Sequence, residues 1–356
     1  MRHACLTLLA FALCCAPATR AAAARASTPA AEAAIYAATS AILRGTADEA
    51  VAALAAVPEP AFSPKDAVFR GCTFARFERS APPRLLDDTG DPFVSEVLRL
   101  YRDYWWHALK APALRDAHGR RLLASLRALL GPAAGQARDF DTLEPVLDAE
   151  LLRRGFHAQT GRTAPLRELM LWRRQDSRRY HVQLPEGPYD VRVELLDDFV
   201  SRGWSAYGRC ERGSTGGWAT DKALFAVVPA YAKDGGLGSE AFRVVFLGHE
   251  TQHFADQNRY PGIASWELEY RAKLVELAQA REVSAKRLRG FVTAQGDDPD
   301  SPHTYANKRV VAALTARLDG RSPDQVGVDE LQAAARAELL ADSARRQRPD
   351  APAGTP

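Results

Sequence analysis

The sequence predicts an α+β protein that is mostly helical. A helical N-terminal region precedes a domain in which a small sheet accompanies one helix bearing two histidines and a second helix bearing a further metal ligand. Three observations carry that expectation. Ala- and Leu-rich segments with helical spacing run from Ser27 to about Arg154. Runs rich in β-branched and aromatic residues follow Thr163. His249, Glu250 and His253 then stand in the order H-E-x-x-H behind the apolar run Phe242, Val244, Val245, Phe246, Leu247.

At the N-terminus, Met1-Arg2-His3, the apolar run Ala4–Ala16 and the Ala-rich stretch Ala18–Ala26 form the three parts of a secretory signal peptide. Small residues permit cleavage after Ala24 or Ala26. The apolar run is too short to span a bilayer. Residues 1–26 are therefore expected to be removed, leaving an exported protein, periplasmic or secreted, with no stable membrane insertion. The formal charge of +3 disappears with this segment, because Arg2, Arg20 and Arg25 are its only charged residues. A near-neutral mature chain gives no electrostatic pull toward nucleic acid or anionic membranes. Of the cysteines only Cys72 and Cys210 remain. They suit one disulfide in an oxidising compartment, or two buried thiols.

Residues 27–162 read as a helical domain. Segments 30–44 and 46–56 come first, and Asp91-Pro92 then caps a stronger helix, with proline where its missing N–H is harmless. Its broad apolar face includes Tyr101, Tyr104 and Trp105, which with Trp106 read as core. Further helices are expected at 112–130 and at 141–154, the latter capped by Asp141. His107, His118, His157 and His181 read as structural.

Residues 163–344 form the second domain. Leu166–Trp172, Tyr180–Leu184 and Tyr189–Leu196 read as strands, the last two joined by Pro185-Glu186-Gly187-Pro188. Arg167, Arg173, Arg174, Arg178 and Arg179 supply a solvated strand face. Ala223–Val228 is a continuous apolar strand before the histidine helix.

The histidine spacing decides the chemistry. Positions four apart on a helix lie one above the other, so His249 and His253 can present two imidazoles to one metal ion. Glu250 lies about 100° round the helix, beside that position without occupying it. Burying two histidines and a glutamate is costly unless they have partners. A third ligand is needed. A histidine six residues after His253 is ruled out, because Arg259 stands there. Beyond the breaker Tyr260-Pro261-Gly262, a second helix at about 265–293 carries Glu267 and Glu269. Glu267 shares its stripe with Tyr270, Leu274 and Leu277, whereas Glu269 shares its stripe with Ala272 and Glu276. The small Ala272 lets two helices approach, which favours Glu269 over Glu267 as ligand.

From Phe242 to Leu277 the chain resembles the gluzincin metalloproteases, in which a glutamate on a second helix completes an H-E-x-x-H zinc site. Glu269-Tyr270-Arg271-Ala272-Lys273 is similar to their E-x-x-A-D segment, with Lys273 where they carry aspartate. The resemblance implies a zincin-like fold, Zn2+ held by His249, His253 and Glu269, and Glu250 as general base. It further implies an outer-shell carboxylate, for which Asp256 is the nearest candidate, and a substrate-pairing strand above the cleft, for which Leu224–Val228 is the candidate. A downstream histidine or tyrosine would stabilise the oxyanion, and His303 and Tyr305 are the candidates. Residues 345–356, proline-rich and charged, are expected to be disordered.

The expected function is that of an exported zinc metallopeptidase acting on a peptide or protein substrate. Two alternatives stay open: a binding protein whose helical half captures a ligand and whose zinc site is vestigial or structural, and a zinc hydrolase of non-peptide amides.

Overall fold

The computed structural model describes residues 25–83, 89–213, 215–220 and 222–347. Nearly all of the expected signal segment, and the tail from 348 onward, lie outside the described residues. The fold is α+β and mostly helical.

The N-terminal helices are α1 (Pro29–Arg44), α2 (Ala47–Ala55), α3 (Pro64–Phe77), α4 (Pro92–Lys110), α5 (Arg115–Leu130) and α6 (Phe140–Arg153). Asp91 caps α4 as expected, its carboxylate accepting from the amides of Phe93 and Val94. Tyr101, Tyr104, Trp105 and Trp106 are buried in the first of two main cores, as expected of packing residues. α3 was not anticipated, although Ser63-Pro64 opens it with a side-chain cap and a proline in the first turn. The cap of α6 is Asp139, not Asp141. Asp139 and Thr142 close a capping box two residues earlier.

The strands are β1 (His157–Gln159), β2 (Arg162–Thr163), β3 (Leu166–Arg167), β4 (Met170–Leu184), β5 (Gly187–Arg202), β6 (Gly217–Ala219) and β7 (Leu224–Val227), with the short helix α7 (Gly203–Gly208) after β5. The main sheet has the order β1-β4-β5-β7-β6. β4 and β5 form one long antiparallel hairpin from Leu184↔Gly187 down to Met170↔Arg202. The expected strand Leu166–Trp172 is split between β3 and the start of β4, and Tyr180–Leu184 is the end of that same β4, with Arg173–Arg179 between. Leu171 at the base of β4 enters the helical core, whereas Val182, Leu184, Val191, Val193 and Leu195 near the tip enter the second core. The hairpin therefore joins the two.

The division expected at residue 163 is not a clean one. β1 already pairs with β4, while Leu166, Leu169, Trp204 and Tyr207 return to the helical core. The Cys72–Cys210 disulfide fastens α3 to the chain just after α7. Apolar burial explains the mixing: Leu171 enters the helical core, whereas Met170 and Trp172 on the other side of the same strand pack with Leu196 and Val227 in a small third cluster.

A π-helical segment (Ala241–Gly248) runs into α8 (His249–Arg259), followed by α9 (Ser265–Gln279), α10 (Ser284–Thr293), α11 (Pro302–Arg317) and α12 (Val328–Arg346). The single helix expected at 265–293 is two. The break is held by Glu240, whose carboxylate accepts from the main-chain amides of Arg281 and Val283 at 2.8 and 2.7 Å. α12 was also unanticipated. It extends to Arg346, so Arg345 and Arg346 do not belong to a disordered tail; they are helical and paired with Glu338, Asp342 and Glu267.

Candidate metal centre

α8 and α9 pack side by side and bring three ligand-type side chains together. The Nε2 atoms of His249 and His253 lie 2.9 Å apart. A carboxylate oxygen of Glu269 lies 3.3 Å from His253 Nε2, and the other lies 3.8 Å from His249 Nε2. One ligand atom from each of the three falls within 4.8 Å of the others, so the triad can hold a metal ion. Two imidazole nitrogens and one carboxylate oxygen are a donor set that zinc accepts, with room for a fourth, exchangeable ligand. Two ring nitrogens facing each other at 2.9 Å leave at most one hydrogen to share, which a cation between them resolves.

Each ligand is fixed from behind. Glu276, fully buried, has an oxygen 2.6 Å from His249 Nδ1, so that nitrogen carries the hydrogen and Nε2 is turned toward the triad. Arg287 donates to both oxygens of Glu276. The outer-shell carboxylate is therefore Glu276 and not Asp256. Asp256 accepts from Arg271 at 2.8 Å, in a buried group that also ties Arg271 to Glu186 and Asp342. That group joins α8, α9 and α12 to the turn of the β4–β5 hairpin.

Glu269 is gripped more tightly still. Lys273, one turn on and 4% exposed, places Nζ 2.6 Å from Glu269 Oε2. His303 Nδ1 lies 2.8 Å from the same oxygen. Both bonds fall on Oε2, leaving Oε1 to face His253. Burial raises the pKa of Glu269, but His249, His253 and His303 outweigh it and hold the carboxyl far below the usual range. Burial likewise disfavours the His249 cation, yet Glu269 and Glu276 push its pKa up to about 10.

Glu267, the rejected alternative, points elsewhere. Its carboxylate accepts from the Ala264 amide as part of the first turn of α9 and pairs with Arg346 at 2.8 Å. Ala272, on the stripe of Glu269, is fully buried where α9 meets its neighbours.

The triad opens into a cleft of about 1010 Å3, lined among others by Glu250, Lys273, Glu276 and His303. His303 thus reaches the site, with its side chain 73% exposed. Tyr305 is not brought there. It is buried on the next part of α11, edge-on to Trp266 with centroids 5.2 Å apart. Leu224–Val227 is not the free edge either, because β7 pairs with β5 on one side and β6 on the other. The strand that lines the cleft at the edge of the sheet is β6. Gly217 in β6 has φ +155°, and a Cβ there would lie 2.1 Å from the Phe225 carbonyl oxygen and 2.3 Å from the Phe246 ring. Only glycine lets β6 approach so closely. Tyr231 supports it, its hydroxyl donating to the Gly216 carbonyl while its ring packs on Phe242 and Phe246.

Sequence reasoning missed Lys273 and Glu276 as parts of the site. The signal was present for Glu276, which lies two turns beyond Glu269 on the same stripe. No known protein family, curated protein or solved structure matches the chain.

Proposed function

We propose that the chain is an exported zinc-dependent peptidase in which His249, His253 and Glu269 hold the metal and Glu250 is the general base. The observation that carries this reading is the convergence of two histidines one turn apart with a glutamate of the next helix, beside a further carboxylate in an open cleft. A metal ion held only for structure needs a fourth protein ligand and has no use for that extra carboxylate. The Cys72–Cys210 disulfide supports export to an oxidising compartment.

When bound, zinc supplies Lewis-acid activation of a water molecule and of the carbonyl to be attacked. The protein's own groups do the rest. Glu276 fixes the tautomer and direction of His249. Lys273 and His303 occupy Oε2 of Glu269 and so leave Oε1 as the oxygen that would hold the metal. Glu250 accepts the proton of the attacking water and passes it to the leaving amine. His303 places Nδ1 on Glu269, and in its imidazolium form its second ring hydrogen, on Nε2, donates toward the oxyanion. An extended peptide pairs with the exposed edge of β6.

The test is purified mature protein incubated with a mixed peptide library, with and without a chelator. Chelator-sensitive cleavage supports the reading. Retention of zinc without cleavage of any peptide contradicts it and favours a binding role for the helical half.

A further inference from the structure

The helical half carries a second cavity, about 350 Å3, whose lining differs from that of the metal cleft. Five guanidinium groups from separate segments converge on it: Arg115 and Arg120 of α5, Arg138 ahead of α6, Arg162 of β2 and Arg167 of β3. Asp116, Asp139 and Asp141 line it too, leaving a formal +2.

Four of these five arginines have no carboxylate in ion-pairing range among the described residues. Arg167 is the exception, with Glu144 at 3.5 Å. Arg115 gives its hydrogens to the main-chain carbonyls of Ala108, Arg44 and Gly45. Arg162 reaches only the Pro165 carbonyl at 3.3 Å, and Arg120 and Arg138 donate to no described group. Asp139 is committed to capping α6. Burial and then the like charge of Arg162 lower the pKa of Arg115, which places those two cations within reach of each other.

The floor of the cavity is a donor as well. Tyr104 is 6% exposed, and its oxygen accepts from the Arg167 amide at 3.2 Å. Its own hydroxyl hydrogen meets no acceptor among the described residues. Arg162, Arg167 and Arg115 all act electrostatically on this phenol. A pocket walled by guanidinium forks over a buried O–H, still net positive after the Arg167–Glu144 pair is counted, is complementary to a compact dianion that only accepts hydrogen bonds. We propose that this cavity binds a phosphoryl dianion, as free phosphate or as a phosphate monoester, independently of the metal centre.

Calorimetric titration of the mature protein with inorganic phosphate and with phenyl phosphate at low ionic strength tests this. Acetate serves as a third ligand, and an Arg138→Ala/Arg162→Ala variant as the comparison. Both side chains are exposed and make no ion pair, so the melting temperature should not move. The expected result is saturable one-site binding of phosphate, weakened about tenfold or more in the variant and in Tyr104→Phe. Tighter binding of phenyl phosphate identifies a monoester as the ligand, and equal binding identifies free phosphate. No saturable binding of either, equal binding of acetate, or binding untouched by the substitutions would overturn the proposal.

Discussion

Glu276 approaches His249 Nδ1 to 2.6 Å although the two residues lie on different helices and the carboxylate has no exposure to water. A buried carboxylate fully committed to one imidazole edge and one guanidinium is explained by what it does for the imidazole's other edge. It fixes which nitrogen is free and where it points.

Replacing Glu276 with glutamine should therefore lower metal affinity by about 10–100-fold without removing a ligand. Competition titration against a chromophoric chelator measures this. Unchanged affinity would mean that α8 alone orients His249.

Glu269 and Glu267 should separate cleanly. Glu269→Gln should abolish stoichiometric zinc binding, as measured by elemental analysis. Glu267→Gln should keep the metal and cost about 1 kcal/mol of stability, the size of a weakened helix cap. Zinc loss in the second variant rather than the first would reverse the assignment.

A pH effect on stability resides outside the candidate metal centre. Glu168 accepts from the amides of Leu169 and Trp204, and its carboxyl fills the space left by the missing side chain of Gly203. Burial pushes its pKa up to about 7, from an ordinary value of 4.5. The folded state then holds this proton more tightly than the unfolded chain, so stability falls as pH rises between those values and is level outside them. The span corresponds to about 3 kcal/mol at most. Urea unfolding of Glu168→Gln from pH 4.5 to pH 8 should show most of that slope removed. What remains below pH 6.5 belongs to other carboxyls that burial raises, Asp148 to about 6 among them, and above pH 6.5 His249 adds its own fall in stability. An undiminished slope would contradict the assignment to Glu168.

Much of the centre was legible in the sequence because helical periodicity is local. His249, Glu250, His253 and the choice of Glu269 follow from spacings within 30 residues. The partners that depend on which helices meet were not legible. Asp256 and Glu276 are equally polar in sequence, and only packing shows that Arg271 takes one and His249 the other. The same holds for the edge strand. Leu224–Val227 has the stronger strand composition, but the three-residue β6 lies outside it because Gly217 permits the close approach. α12, which places Asp342 against Arg271, lacks a side-chain cap and has an Ala-rich stripe that alone does not identify a packing face.

Catalysis as against metal storage turns on Glu250, and one variant tests it most directly. Glu250→Gln preserves shape but cannot take a proton from the attacking water. With His249, His253 and Glu269 intact, zinc content should remain at one equivalent by elemental analysis, while turnover on any peptide cleaved by the parent falls by about 10²–10⁴-fold. A zinc-loaded Glu250→Gln protein that cleaves peptides at the parental rate would contradict the account.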